Sequence, residues 1–318
     1  MEALRRLRED RPKDRPDTPT PALDEAVKRW LEEQKSRLRT KTYTNYEGTL
    51  RLHVLEAYPA LALMRVDRIK SAHLRELFEK LADRSPRVRE LVFLRLHSLF
   101  ASMVGEHITK NPVMPAMKNR VPRKTMDAWT AEEARKFLEA TKNDWLAPLY
   151  RLALSVGMRK GELLGLQWSD VDLRAKRLHI QHTLSDDGTL GEPKTAGSRR
   201  TIELPSKAAA CIVAQKGILL AAGLRASPWV FPDRDGGPYL ARKLSRDFDA
   251  AITAAEVRRI RFHDMRHTAA TLRLQLGEHP KIVSEMLGHA KTSITMDLYS
   301  HTIPSMQRDS ADRFDAVL

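Results

Sequence analysis

A single cysteine, Cys211, stands in 318 residues, which excludes an internal disulfide and any multi-cysteine zinc site. Its setting, AAACIVA, reads as the place of a buried small hydrophobe without reactivity. No apolar run approaches the roughly 20 residues that cross a bilayer. The opening MEALRRLRED has no signal-peptide core, so a cytoplasmic protein with no membrane partner is expected. Internal repeats and low-complexity segments are lacking as well. What is present is an ordinary globular composition, 42% hydrophobic and 30% charged. At roughly 100 to 200 residues per domain, the length predicts two cores.

The formal charge of +14 calls for an acidic partner. It is unevenly spread: residues 21–125 carry 21 Lys and Arg against 12 Asp and Glu, whereas 126–318 carry 28 against 24. Nucleic acid is the first reading of such a basic N-terminal third, with an acidic membrane or plain solubility as alternatives.

Residues 1–20 mix charge with proline and carry no apolar period, so they read as a flexible charged lead-in. Thr20 and Pro21 look like a cap and first helical position, followed by Leu23, Ala26, Val27, Trp30 and Leu31 on one face. Helical periodicity returns over 42–55, 71–83 and 86–105, making 21–110 a four-helix unit with basic outer faces. The proline-rich, basic stretch NPVMPAMKNRVPRK makes 111–125 the linker. A capping box, Thr130 with Glu133, opens the second unit, 126–318. That unit is helical to about Gln167, then shows two β-like runs, Leu178–Thr183 and Thr201–Leu204, around a turn-rich stretch, and is helical again from Pro205. The fold class is therefore mainly α with a small β-sheet, α+β.

Several short segments carry residues suited to phosphate chemistry. In GMRKGEL, Arg159 and Glu162 are three apart, a spacing that lets a helical turn hold a guanidinium against a carboxylate, though most such pairs are surface ion pairs. In HDMRHTAAT, His263 and Arg266 share a helical face suited to a phosphate. His263 and His267 also form an HxxxH spacing. The zinc pattern, however, requires Glu beside the first histidine, where this chain has Asp264, and His267 alone reads as a core histidine. LGH places His289 after a turn, Tyr299 follows ten residues later, and Lys194 lies in the polar turn PKTAGSRR. Each of these has an ordinary structural explanation when taken alone.

In order and together, GMRKGEL, PKTAGSRR, HDMRHTAAT, LGH and LYSH resemble the tyrosine recombinase (phage integrase) family, over about residues 20 to 315. The resemblance implies a helical core-binding domain followed by a catalytic domain, closing on double-stranded DNA as a clamp. It implies that Arg159 and Arg266 bind the scissile phosphate, that Lys194 is the general acid, that His263 and His289 complete the pocket, that Glu162 supports it, and that Tyr299 is the nucleophile. It implies further a homotetramer on two DNA sites, with the tail after the nucleophile packing onto a neighbour, and leaves room for DNA-bending accessory proteins. Residues 1–20 are too short for the arm-site domain of lambda-type integrases, so either a simpler recombinase or a chain starting downstream of such a domain is expected.

The chemistry asks for such a set. A phenol with pKa near ~10 is protonated at neutral pH and phosphate oxygens repel attack, so arginines must take up charge, and a base and an acid must move protons. No metal or nucleotide cofactor is then expected, because the 3′-phosphotyrosine conserves the energy of the broken bond. The main expectation is an integrase of a mobile element, against a Xer-type dimer-resolving recombinase, a type IB topoisomerase, a non-catalytic DNA-binding regulator of the same fold, and a metallohydrolase built on His263 and His267.

Overall fold

The computed structural model describes residues 19–118, 121, 127–193, 199–289 and 295–296. The chain divides into two compact units, Met1–Lys124 and Thr125–Leu318.

In the first unit, α1 (Leu23–Lys35) buries the face Leu23, Ala26, Val27, Trp30 and Leu31. It starts later than Thr20–Pro21 would have it. Ala22 is extended and bridges Arg65, and the Pro21 carbonyl accepts from the Val66 N–H at 3.0 Å. Backbone groups engaged in that pairing cannot begin a helix. Helix α2 (Thr40–Leu50) runs into a π-helical turn, Arg51–Leu55, and is followed by the one-turn α3 (Pro59–Ala62). Helix α4 (Ser71–Lys80) precedes α5 (Pro86–Ser102), whose start combines Pro86 with the Ser85 hydroxyl accepting from the Val88 N–H. Leu50, Val54, Leu74, Leu77, Phe93, Leu96 and Phe100 complete the core, against which Tyr46 stacks on Trp30.

The second unit opens as the Thr130–Glu133 pattern requires: the Thr130 hydroxyl accepts from the Glu133 N–H, and the Glu133 carboxylate accepts from the Thr130 N–H. Helix α6 (Ala131–Ala140) follows, then α7 (Ala147–Val156), which is apolar on nearly every side and packs against two later helices, α9 (Ser206–Ala221) and α11 (Asp264–Gln275). Trp129, Phe137, Tyr150, Phe248 and Phe262 form a continuous aromatic cluster, in which Phe248 comes from α10 (Ala241–Ala255). The Trp129 N–H donates to the Thr268 hydroxyl at 3.0 Å, fixing the segment before α6 to α11.

Between α7 and α9 the described residues form the short α8 (Lys160–Leu164) and five strands. Strands β1 (Val171–Asp172), β2 (Arg177–Ile180) and β5 (Arg200–Glu203) form an antiparallel sheet in the order β1-β2-β5, with Leu178 opposite Ile202. The run expected as one strand, Leu178–Thr183, is divided. Thr183–Leu184 (β3) leaves the sheet to pair with Leu190–Gly191 (β4), a ribbon closed by a turn in which Gly188 has φ +86°. This ribbon, within a stretch that reads as turns, packs on α8. A Cβ at Gly161 would lie 2.6 Å from the Thr183 hydroxyl oxygen and 2.8 Å from the Leu184 carbonyl, so only glycine allows the approach. Helix α12 (Pro280–Leu287) packs on α11. Cys211 is half-buried rather than buried, lining a cavity of about 820 Å³ together with Trp145 and Arg151, and burial pushes its thiol above the ordinary pKa.

Candidate active site

Two helices end side by side in left-handed glycines, α7 at Gly157 (φ +62°) and α12 at Gly288 (φ +68°). Such ends expose carbonyls that carry the negative pole of the helix. Three successive carbonyls at the end of α12 are each taken by a different arginine. The Met286 oxygen accepts from Arg200 Nε at 2.6 Å, the Leu287 oxygen from Arg266 Nη2 at 2.6 Å, and the Gly288 oxygen from Arg159 Nη2 at 2.7 Å. Arg266 also donates through Nη1 to the Gly157 carbonyl at 2.8 Å, which places it across both helix ends.

Glu162 balances this charge. It sits in the first turn of α8 and is 2% exposed, and its two oxygens receive the Arg159 backbone N–H at 2.9 Å, Arg159 Nη1 at 2.6 Å and Arg200 Nη1 and Nη2 at 3.1 and 2.9 Å. The Arg159–Glu162 spacing is therefore not a surface ion pair. Burial acts to raise the Glu162 pKa, but the hydrogen bonds and charge of Arg200, with those of Arg159, outweigh it and hold the carboxyl below its usual range. Arg266, 3% exposed, is lowered to about 9, first by burial and then by the charge of Arg159, and still carries its proton at neutral pH.

His263 and Arg266 reach the pocket from the start of α11. That start is held by Asp264, a buried carboxylate gripped by Arg261 through Nε at 2.9 Å and Nη2 at 2.7 Å. His263 is an exposed residue, yet burial of part of its surroundings, then His267 and Arg266, lower its pKa to about 4. His289 follows the Gly288 turn, and its Nδ1 lies 2.8 Å from the Thr295 hydroxyl oxygen. Burial, then Arg266 and Arg159, lower it also to about 4. His267 is half-buried and meets His263 edge to face at 5.3 Å between ring centres, so it lies beside the pocket rather than in the core. Among the described residues, no group of three or more His, Cys, Asp and Glu is placed to hold a metal ion.

Of the residues singled out from sequence, the fold thus brings together Arg159, Glu162, His263, Arg266 and His289. Lys194 and Tyr299 lie outside the described residues. One participant escaped the sequence reading, Arg200. A signal for it did exist: in β5 the buried residue is Ile202, and the two-residue period of a strand puts Arg200 on the same inward face, whereas Arg199 points outward to Glu192.

Comparison with known proteins identifies the family. The phage integrase family matches residues 127–305, and the phage integrase N-terminal SAM-like domain matches 22–82. A tyrosine recombinase XerC-like protein of Caldanaerobacter subterraneus subsp. tengcongensis is 28% identical over 321 residues, spanning 91% of this chain and 82% of its own. The ICEBs1 integrase of Bacillus subtilis is 29% identical over 239 residues, 71% of this chain and 65% of its own. The fold is shared with the Tn1549 transposon integrase in complex with a circular intermediate DNA, at TM-score 0.78 and 18% identity over 92% of this chain and 99% of that one. It is also shared with a lambda integrase dimer bound to a COC′ core site, at TM-score 0.69 and 20% identity over 94% and 81%. No described helix is long and apolar enough to cross a membrane. With its family match covering more than half its length, the chain belongs to the phage integrase family and is a tyrosine-type site-specific DNA recombinase.

Proposed function

We propose that this recombinase integrates or excises a mobile element, cutting and rejoining double-stranded DNA through Tyr299. The observation that carries the reading is the pairing of Arg159 and Arg266 on adjacent carbonyls at the end of α12, flanked by two neutral histidines. In the proposed reaction, both guanidinium groups bind the non-bridging oxygens of the scissile phosphate and take up the charge that grows on them in the transition state. The Tyr299 oxygen forms a bond to phosphorus while the bond to the 5′ oxygen breaks. The phenol proton passes to His263, and Lys194 protonates the leaving oxygen. His289, anchored through Thr295, lines the phosphate from the α12 side. A 5′ hydroxyl from the partner strand then reverses each step and releases the tyrosine.

The first unit's excess of basic residues supports phosphate contacts there, since neutralising phosphates dominates DNA affinity. Four protomers on two sites, exchanged C-terminal tails and DNA-bending accessory proteins complete the proposal. A dimer-resolving role is the second reading, favoured by the XerC-like relative. Incubation with a nicked suicide substrate that carries the element's own core site tests the reading. A covalent protein–DNA adduct that forms equally well with a chelator present is expected; absence of any adduct would remove the catalytic reading in favour of a DNA-binding regulator.

A pH dependence follows from the histidines. A histidine with the ordinary pKa of about 6.5 is roughly 90% protonated at about pH 5.5, which would cost a base about tenfold in rate. With His263 held near about 4, adduct formation at subsaturating DNA is expected to change less than about threefold between about pH 7.5 and 5.5. A tenfold fall with a midpoint near about 6.5 would exclude His263, as placed, from the base role. The same shifts bear on stability. Because the folded pKa values lie below the unfolded ones, the contribution of His263 and His289 is complete above about 6.5 and is lost as pH falls toward about 4.

A further inference from the structure

We propose that Arg200 is a positioning residue of the active site. It neutralises Glu162, so that Arg159 keeps its charge for the phosphate, and it ties the strand that follows Lys194 to the turn that presents His289. The inference rests on the recombinase reading above and goes beyond it, since Arg200 has no assigned part in the chemistry.

The first argument is charge. The Glu162 carboxylate accepts at least four hydrogen bonds, two of them from Arg200, and a carboxylate has about four lone-pair sites to offer. Three arginines against one glutamate leave the pocket with a net charge of two. Without Arg200, the full charge of a buried Glu162 would fall on Arg159, whose guanidinium would be neutralised where the phosphate has to bind. Arg200 itself is 7% exposed at its side chain, so it acts through its neighbours rather than on DNA.

The second argument is geometry. Arg200 is the first residue of β5, paired with Ile180 of β2, and lies six positions beyond Lys194. Its Nε holds the Met286 carbonyl, three residues before His289. The Gly288 backbone lies directly on the guanidinium: a Cβ built there would stand 3.0 Å from Nη1, 3.1 Å from Cδ and 3.2 Å from Cζ. One side chain therefore joins three parts of the chain: the turn that supplies Arg159 and Glu162, strand β5, and the turn that supplies His289. A fork with donors in fixed directions suits this task, and a lysine ammonium cannot reproduce it.

The test compares full-length wild type, Arg200→Met, Glu162→Gln and the double variant Arg200→Met/Glu162→Gln. The readouts are the single-turnover rate of adduct formation at saturating DNA, the half-site Kd and the melting temperature. Arg200→Met is expected to slow adduct formation by about 10- to 100-fold, as for other residues that orient functional groups, with Kd changed less than about threefold. The double variant is expected to recover at least about tenfold of that loss, because a neutral amide no longer captures Arg159. Arg200→Lys, which keeps the charge without the fork, should lie between. Combined with Glu162→Gln, it supplies the same comparison if Arg200→Met melts below the assay temperature. A wild-type rate in Arg200→Met, or a double variant no faster than the single one, overturns the proposal in favour of packing alone. Failure of the wild-type protein itself to form an adduct overturns instead the recombinase reading beneath it.

Discussion

Tyr299→Phe is expected to abolish the covalent protein–DNA adduct while DNA affinity and melting temperature stay at wild-type values. The ring remains for packing, and only the attacking oxygen is removed. Loss of a nucleophile costs on the order of 10⁴- to 10⁶-fold, so no adduct should be seen on a denaturing gel. The other tyrosines are poor candidates for reasons visible in the fold. Tyr46 lies between Trp30 and the Arg95 guanidinium, and the Tyr58 hydroxyl donates to Glu76 at 2.6 Å. Tyr150 is buried in the aromatic cluster, and burial pushes its hydroxyl far above the usual phenol range. The Tyr239 hydroxyl donates to Asp247, and burial, then that hydrogen bond, raises it as well. Tyr43 packs on the core of the first unit, which holds none of the pocket arginines. A normal adduct yield from Tyr299→Phe would place the nucleophile elsewhere and dismantle the proposed site.

The second large effect separates Arg159 and Arg266, the two arginines proposed to bind the phosphate, by stability rather than by rate. Arg159→Ala and Arg266→Ala are each expected to slow adduct formation by roughly 10²- to 10³-fold, the usual cost of losing one donor to a developing oxyanion. Their structural costs differ. Arg266 is 3% exposed and holds the carbonyls that end α7 and α12, so its removal strands two helix ends in a buried site. That should cost about 2–4 kcal/mol, a fall of roughly 5–15 °C in melting temperature for a unit of this size. Arg159 is 36% exposed at its side chain, and Arg200 remains to neutralise Glu162 when Arg159 is lost. Its melting temperature should therefore fall by less than about half as much. Single-turnover rates and thermal melts of both variants decide this. Equal melting temperatures would show that the α7 and α12 ends do not depend on Arg266, and an Arg266→Ala rate within tenfold of wild type would exclude it from the phosphate.

What the sequence determined by itself is the local part of this protein. The Thr130–Glu133 capping box, the apolar face of α1 and the Arg159–Glu162 turn each depend on residues at most a few positions apart, and each is formed as its spacing requires. The order of the arginine and histidine segments also sufficed to indicate the family. Tertiary structure decided the rest. Whether Pro21 starts a helix was settled by Val66, 45 positions away in the chain, which takes the Pro21 carbonyl. The β3–β4 ribbon exists because Gly161 of α8 leaves room for it. Above all, the role of Arg200 depends on a carboxylate 38 residues earlier and a carbonyl 86 residues later. Backbone carbonyls at a helix end are the same in every sequence. Which side chain arrives to satisfy them is set by how α8, α12 and β5 pack, and only the folded chain records that choice.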